Sequence, residues 1–142
     1  MNYRVLKVST SMILLLIGGI LYIAFRTKTL LMFKWAEWLH LDTYVEVMRL
    51  HANQYNPPYF IRYCLPNTLW IISYMIMIDA LVSKNDYKIR WILALPFIAI
   101  LFEILQNWEI IPGTFDIWDL LSLVIPTIVY ATKYYMNYEK NI

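Results

Sequence analysis

Cys64 is the chain's lone cysteine, so no internal disulfide can brace the fold. Charge is scarce too: Asp, Glu, Lys and Arg make up 15% of 142 residues, against ~25% in an ordinary globular protein. The chain has no phosphate-binding glycine loop, no HExxH, no GxSxG and no pair of cysteines. These gaps remove the common signatures of nucleotide, zinc-peptidase and serine-hydrolase chemistry. The net charge is only +2 and no long basic run exists, so there is no electrostatic footprint for nucleic acid. Internal repeats and low-complexity tracts are absent as well.

Apolar side chains are what the sequence has in excess. They make up 61% of it, against ~45–50% in soluble domains. A core of this size cannot hold them all, so lipid must solvate part of the surface. Six tryptophans and twelve tyrosines suit a protein with two membrane interfaces, where amphipathic rings prefer to sit.

A bilayer core takes a helix of ~20 mostly apolar residues. Four segments meet that need, at about 5–25, 66–82, 91–107 and 117–135. Each is expected to be helical, because unpaired backbone groups cannot face lipid. The expected fold is therefore an all-α integral membrane protein, a single domain over 1–142 with four transmembrane helices. Arg4 and Lys7 give the first segment a signal-like start. Its apolar run is long, and no small-x-small site precedes "FRTK", so it reads as a retained anchor. Between the first two segments lies a long outer loop containing "LLMFKWAEWLHL". Leu31, Trp35, Trp38 and Leu39 fall near one helical face there, which predicts an amphipathic helix lying in the interface. "NPP", Asn56 to Pro58, ends any helix before the second span. Pro96 and Pro126 fall inside the last two spans and disturb the carbonyls four residues earlier, at Ile92 and Ser122.

Basic residues set the orientation. Arg4, Lys7, Lys84, Lys88, Arg90, Lys133 and Lys140 fall on one side; Arg26, Lys28, Lys34, Arg49 and Arg62 spread along the long loop on the other. The short loop 108–115 has no basic residue. Both termini are therefore expected in the cytoplasm. That topology gathers polar side chains at one depth, near the outer headgroup layer. Glu103, Gln106 and Asn107 share the outer third of the third span. Asp116 and Asp119 open the fourth, Asn67 and Thr68 open the second, and the loop adds His40, Arg49, His51 and Arg62. Asp79 lies at the inner end, with Lys84 or Arg90 as expected partners.

Each has a structural reading beside the functional one. Asp116 suits a helix cap and Asp119 a first turn, where the dipole favours an anion. Glu103 is harder to explain structurally, since a charge inside an apolar span is expensive. If Glu103, Asp116 and Asp119 share a pocket, one must hold a proton or a cation must sit among them. Hard oxygen ligands suit Ca2+ or Mg2+. A pocket at headgroup depth would meet phosphate esters first. Such a site would use His51 or Glu103 for proton transfer, Gln106 for hydrogen bonding, and Asn67, Arg62 and Asn107 for substrate binding.

"FEILQ", a short loop and then "FDIWDLL" resemble the VanZ-like membrane proteins. Glu103 and Gln106 match that family's Glu-x-x-Gln pair; Asp116 and Asp119 match the acidic positions that follow; "LPNTLW" is similar to a subgroup's start of the second span. The chain departs from the pattern in having no arginine just before the aspartates, and Leu123 where asparagine is common. The resemblance implies four membrane helices and a cell-envelope role; the founding member is associated with teicoplanin resistance. It also implies kinship with phosphatidylserine synthase-type enzymes. The leading expectation is action on lipid or lipid-linked phosphate headgroups at the outer face of a bacterial inner membrane. The alternative is a non-catalytic subunit of a larger membrane protein complex, with the polar residues as glue between helices.

Overall fold

The computed structural model describes residues 3–26, 31–83 and 87–139. Every regular element among them is helical. In order these are α1 (Tyr3–Phe25), α2 (Leu31–Trp38), α3 (Asp42–Gln54), a π-helical turn (Phe60–Cys64) running into α4 (Leu65–Leu81), α5 (Lys88–Asn107) and α6 (Ile117–Glu139). Three helices are long and apolar enough to cross a membrane: Tyr3–Phe25, Phe60–Leu81 and Lys88–Asn107. α6 is equally long, but Asp119, Lys133 and its tyrosines dilute its apolar character.

α4 is the hub, packed against α1, α5 and α6. Small residues let α1 come close: Ser11, Gly18 and Ala24 are its buried positions. A Cβ on Gly18 would stand 2.7 Å from the Trp70 ring, so only glycine fits beneath that indole. Trp70 Nε1 donates to the Leu15 carbonyl at 3.3 Å, and Ser73 Oγ to the Ser11 carbonyl at 2.7 Å. On the other side of α4, Ile71 and Met75 form a core with Ile92 of α5 and Leu123 of α6. Outward faces are rich in apolar side chains, as with Leu16 and Ile20 of α1, Phe97 and Phe102 of α5, and Ile125 and Ile128 of α6.

Contacts at the helix ends fix the directions. Lys7 at the start of α1 meets Asp79 at the end of α4, and Lys88 at the start of α5 meets it too. At the other end, Asn67 of α4 meets Asp119 of α6. α1 and α5 thus run one way, α4 and α6 the other. One end of the bundle carries Lys7, Asp79 and Lys88; the opposite end carries Asp116, Asp119 and the α2–α3 segment.

That segment holds a second helix, α3, which was not expected. Its half-buried residues are Val45, Met48, Arg49 and Ala52, a helical spacing diluted by exposed Tyr44, Val47 and Leu50. Arg49 secures it, donating to the Ile23 carbonyl at 2.5 Å near the end of α1 and lying 5.1 Å from the Phe33 ring. A helix does form in the expected amphipathic stretch. Trp35, Trp38 and Leu39 are exposed and Phe33 is buried. His40 follows it at φ 57. The Leu41 N–H bonds the Ala36 carbonyl and the His40 N–H bonds that of Glu37. This is a Schellman ending with histidine in the left-handed position that glycine usually takes. Glu109 ends α5 in the same way, at φ 55, with Ile110 bonding back to Leu105.

The prolines are accommodated by name. Pro66 has no N–H, and its ring crowds the turn before it; the helix widens there into the π turn, closed by Leu65 N–H on the Phe60 carbonyl. Pro126 leaves the Ser122 carbonyl without its helical donor, and Thr68 Oγ1 fills the vacancy at 3.0 Å. Thr68→Val keeps the shape and removes that donor. It should lower stability by about 1 kcal/mol, read as the unfolding midpoint in detergent, while Thr68→Ser should stay near the parent. Equal stability of all three would rule the bond unimportant.

Candidate functional site

At the α2–α3 end, residues 112–115 are irregular and α6 begins at Ile117. Asp116 caps α6. Its Oδ1 accepts the Trp118 N–H at 2.9 Å, and its carbonyl accepts that of Leu120 at 3.1 Å. The other carboxylate oxygen accepts the Tyr59 hydroxyl. That bond stabilises the neutral phenol and pushes its pKa from 10.0 up to about 12.

Asp119, one turn further on, joins three elements. Its Oδ1 accepts Asn67 Nδ2 at 3.1 Å, and its Oδ2 lies 3.8 Å from Arg26 Nη2. Arg26 follows the end of α1, where exposed carbonyls favour a cation. It also donates to the Tyr63 carbonyl at 3.3 Å, with its guanidinium 5.1 Å from the Tyr63 ring and 5.5 Å from the Tyr22 ring. Aromatic faces thus aim Arg26 at Asp119. Its Nε is buried and has no hydrogen-bond partner.

Glu103 approaches from α5. Its Oε2 is likewise buried without a hydrogen-bond partner. The charges that act on it are Asp119, Asp116 and Arg26, so the α5 carboxylate and the α6 aspartates share one electrostatic neighbourhood. Gln106 lies one turn beyond, half-buried. Gly113 makes room for it: a Cβ there would stand 2.5 Å from Gln106 Nε2, and its φ of 151 is unfavourable for other residues. Glycine at this position therefore lets the loop fold over Gln106.

Other expected participants lie apart. His51 is exposed on α3, and its Nδ1 is 2.8 Å from the Val47 carbonyl of its own helix. Asn107 is the exposed last residue of α5. Arg62 donates to the Asn56 side chain and stacks 6.0 Å from the Phe25 ring, with a buried, unpartnered Nε. His40 serves as a helix ending. Among the described residues no three His, Cys, Asp or Glu side chains are grouped to hold a metal ion. Asp116 is engaged as a cap and Asp119 by Arg26 and Asn67.

Family models, curated proteins and solved structures give no match to this chain. The site is therefore read from its own geometry.

Two participants escaped the sequence reading. Arg26 sits in the loop by sequence, and only its place at the end of a long apolar segment marks it as a helix-end cation. Tyr59 is one of many aromatic residues. Asp79 is also paired differently from expectation. It bridges Lys7 and Lys88, with Lys88 Nζ at 2.7 Å from its Oδ1 and 2.6 Å from its carbonyl. Lys84 lies outside the described residues, and Arg90 stacks 5.0 Å from Tyr87 instead.

Asp116→Asn should bring the Tyr59 pKa down from about 12 towards 10.0. A raised acid pKa means the bond contributes fully below the ordinary value and is lost as pH rises through the folded one. Tyrosinate absorbance between those limits should show one more ionised tyrosine in the variant than in the parent; superimposable titrations would dissociate Tyr59 from Asp116.

Proposed function

We propose that this chain is a VanZ-like membrane protein that acts on a phosphate-bearing lipid or lipid-linked headgroup at the outer face of a bacterial inner membrane. The observation that carries this reading is the unpartnered, buried Oε2 of Glu103, beside the Asp119–Arg26 pair. An apolar helix retains such a carboxylate at a cost unless something else meets it. Arg26 keeps a buried Nε–H without an acceptor. Guanidinium groups suit phosphate oxygens. The site so read has donors for a phosphate and a carboxylate for the proton of a hydroxyl or ammonium group on the same headgroup. Gln106 and Asn67 hold its walls, and Asp116 and Asp119 position the start of α6. No step runs through a metal ion.

The same reading takes α6 as a fourth span and both termini as cytoplasmic. It is supported by the alternating helix directions, by the outward-facing Ile125, Ile128 and Val129 of α6, and by the basic residues at the Lys7–Lys88 end. It places α2 in the outer interface, with Trp35 and Trp38 towards the headgroups.

A second reading has its own observation. Asp116 and Asp119 already join Tyr59, Asn67 and Arg26 between helices, which is what a non-catalytic subunit of a membrane complex would need. Glu103→Gln separates the two. In vesicles of labelled phospholipids and lipid-linked phosphates, the parent should release or exchange headgroups. The variant should fold and insert normally and lose at least ~100-fold of that rate. No turnover by the parent, or equal turnover by both, favours the subunit. A reporter at residues 108–115 that proves cytoplasmic would refute the outer-facing site.

A further inference from the structure

The Lys7–Lys88 end carries a second polar site. Here a cleft of about 330 Å³ is lined by Tyr3, Arg4, Lys7, Asp79, Ser83 and Lys88, among others. Its two lysines, Lys7 and Lys88, share the single carboxylate of Asp79. Asp79 bridges the two lysines and so fixes both ammonium groups at its edge. Lys88 is the unusual member, with its side chain only 7% exposed. A lysine so withdrawn from water needs anionic partners. One carboxylate serves both lysines. An ammonium has three donors: Lys88 spends two, on the Asp79 carboxylate and carbonyl, and Lys7 spends one on the carboxylate. Among the described residues the remaining lysine donors have no counter-anion of their own. Arg4, bonded to the Leu81 carbonyl at 3.1 Å, closes the other wall.

Depth adds a second argument. Tyr3 begins α1, Leu81 ends α4 and Lys88 begins α5. For helices that just cross a bilayer core, their ends lie in the headgroup layer. Val5 and Leu6, between the lining residues Arg4 and Lys7 on the first turn of α1, are exposed apolar side chains. The site thus offers cations at headgroup level and an apolar flank next to them.

We infer that this cleft binds a phosphate-bearing anion, held by Arg4, Lys7 and Lys88, with the headgroup of an anionic phospholipid as the ligand that also uses the flank. The site is separate from the Glu103 cluster and does not depend on the chemistry there. Asp79 acts as the bracket that presents the lysines.

The full-length protein in a neutral maltoside detergent provides the test. Cys64 is 1% exposed, so a thiol-reactive dye reports unfolding. Phosphatidylglycerol should raise the unfolding midpoint more than phosphatidylcholine at equal mole fraction, by preferential binding to the folded state. Inorganic phosphate, against chloride at matched ionic strength, distinguishes the sources: a shift with both ligands means the phosphate suffices, a shift with the lipid alone means that the headgroup and chain are read together. Lys7→Gln should weaken the response. Ser83→Glu, at an exposed lining position outside the helices, adds a repelling carboxylate without touching the Asp79 bridges and should reduce apparent affinity about tenfold. Glu103→Gln should leave the response intact whatever it does to turnover. No shift with either ligand, or an unchanged shift in Ser83→Glu, overturns the proposal.

Discussion

Polar groups inside an apolar bundle must find their partners within the protein, and the helix arrangement follows from meeting that demand. Thr68 covers the carbonyl that Pro126 releases; Ser73 reaches the backbone of α1 at Ser11, and Trp70 reaches it at Leu15; Tyr74 donates to the Trp91 carbonyl at 2.7 Å. Each bond links α4 to a neighbour, and each is short-range and directional. Dispersion alone would let the apolar faces slide, since lipid and leucine are alike as solvents. The hydroxyls and the indole fix the register that the aliphatic side chains then fill.

The two ends of the bundle use charge differently. At one, a single carboxylate, Asp79, holds two lysines, and cations dominate. At the other, three carboxylates converge around one well-placed guanidinium, Arg26, and anions dominate. The long apolar faces between them carry almost no charge. Such a molecule is polarised along its length.

The four long helices were legible because each segment is near membrane length, and in α1, α4 and α5 also strongly apolar. Their ends agree with expectation to within a few residues, apart from the added π turn before Pro66. α3 was less legible: apolar positions outside its half-buried stripe blur the period, and Arg49 counts as polar although it serves the interior. At the site, the grouping of Glu103 with Asp116 and Asp119 was foreseeable, because a helical hairpin brings the end of α5 to the start of α6. Asn67 followed from the same reasoning about depth. Arg26 was not foreseeable in that role, since it lies 93 residues before Asp119 in the chain and alternation of spans does not say which helices touch. Asp116 turns one carboxylate oxygen back on its own helix, as a cap must, and gives the other to Tyr59.

The π turn at Phe60–Cys64 holds one residue more than an α-helical path would need. In an α-helix each residue turns the chain by about 100°. Deleting any one residue of this turn would restore ordinary winding and leave α4 in place, while swinging everything before it around the axis. Tyr59 would leave Asp116. The surplus residue therefore works as a phase adjuster between the buried span and the surface that precedes it. A chain lacking it could keep the same bundle and lose the phenol from the mouth of α6.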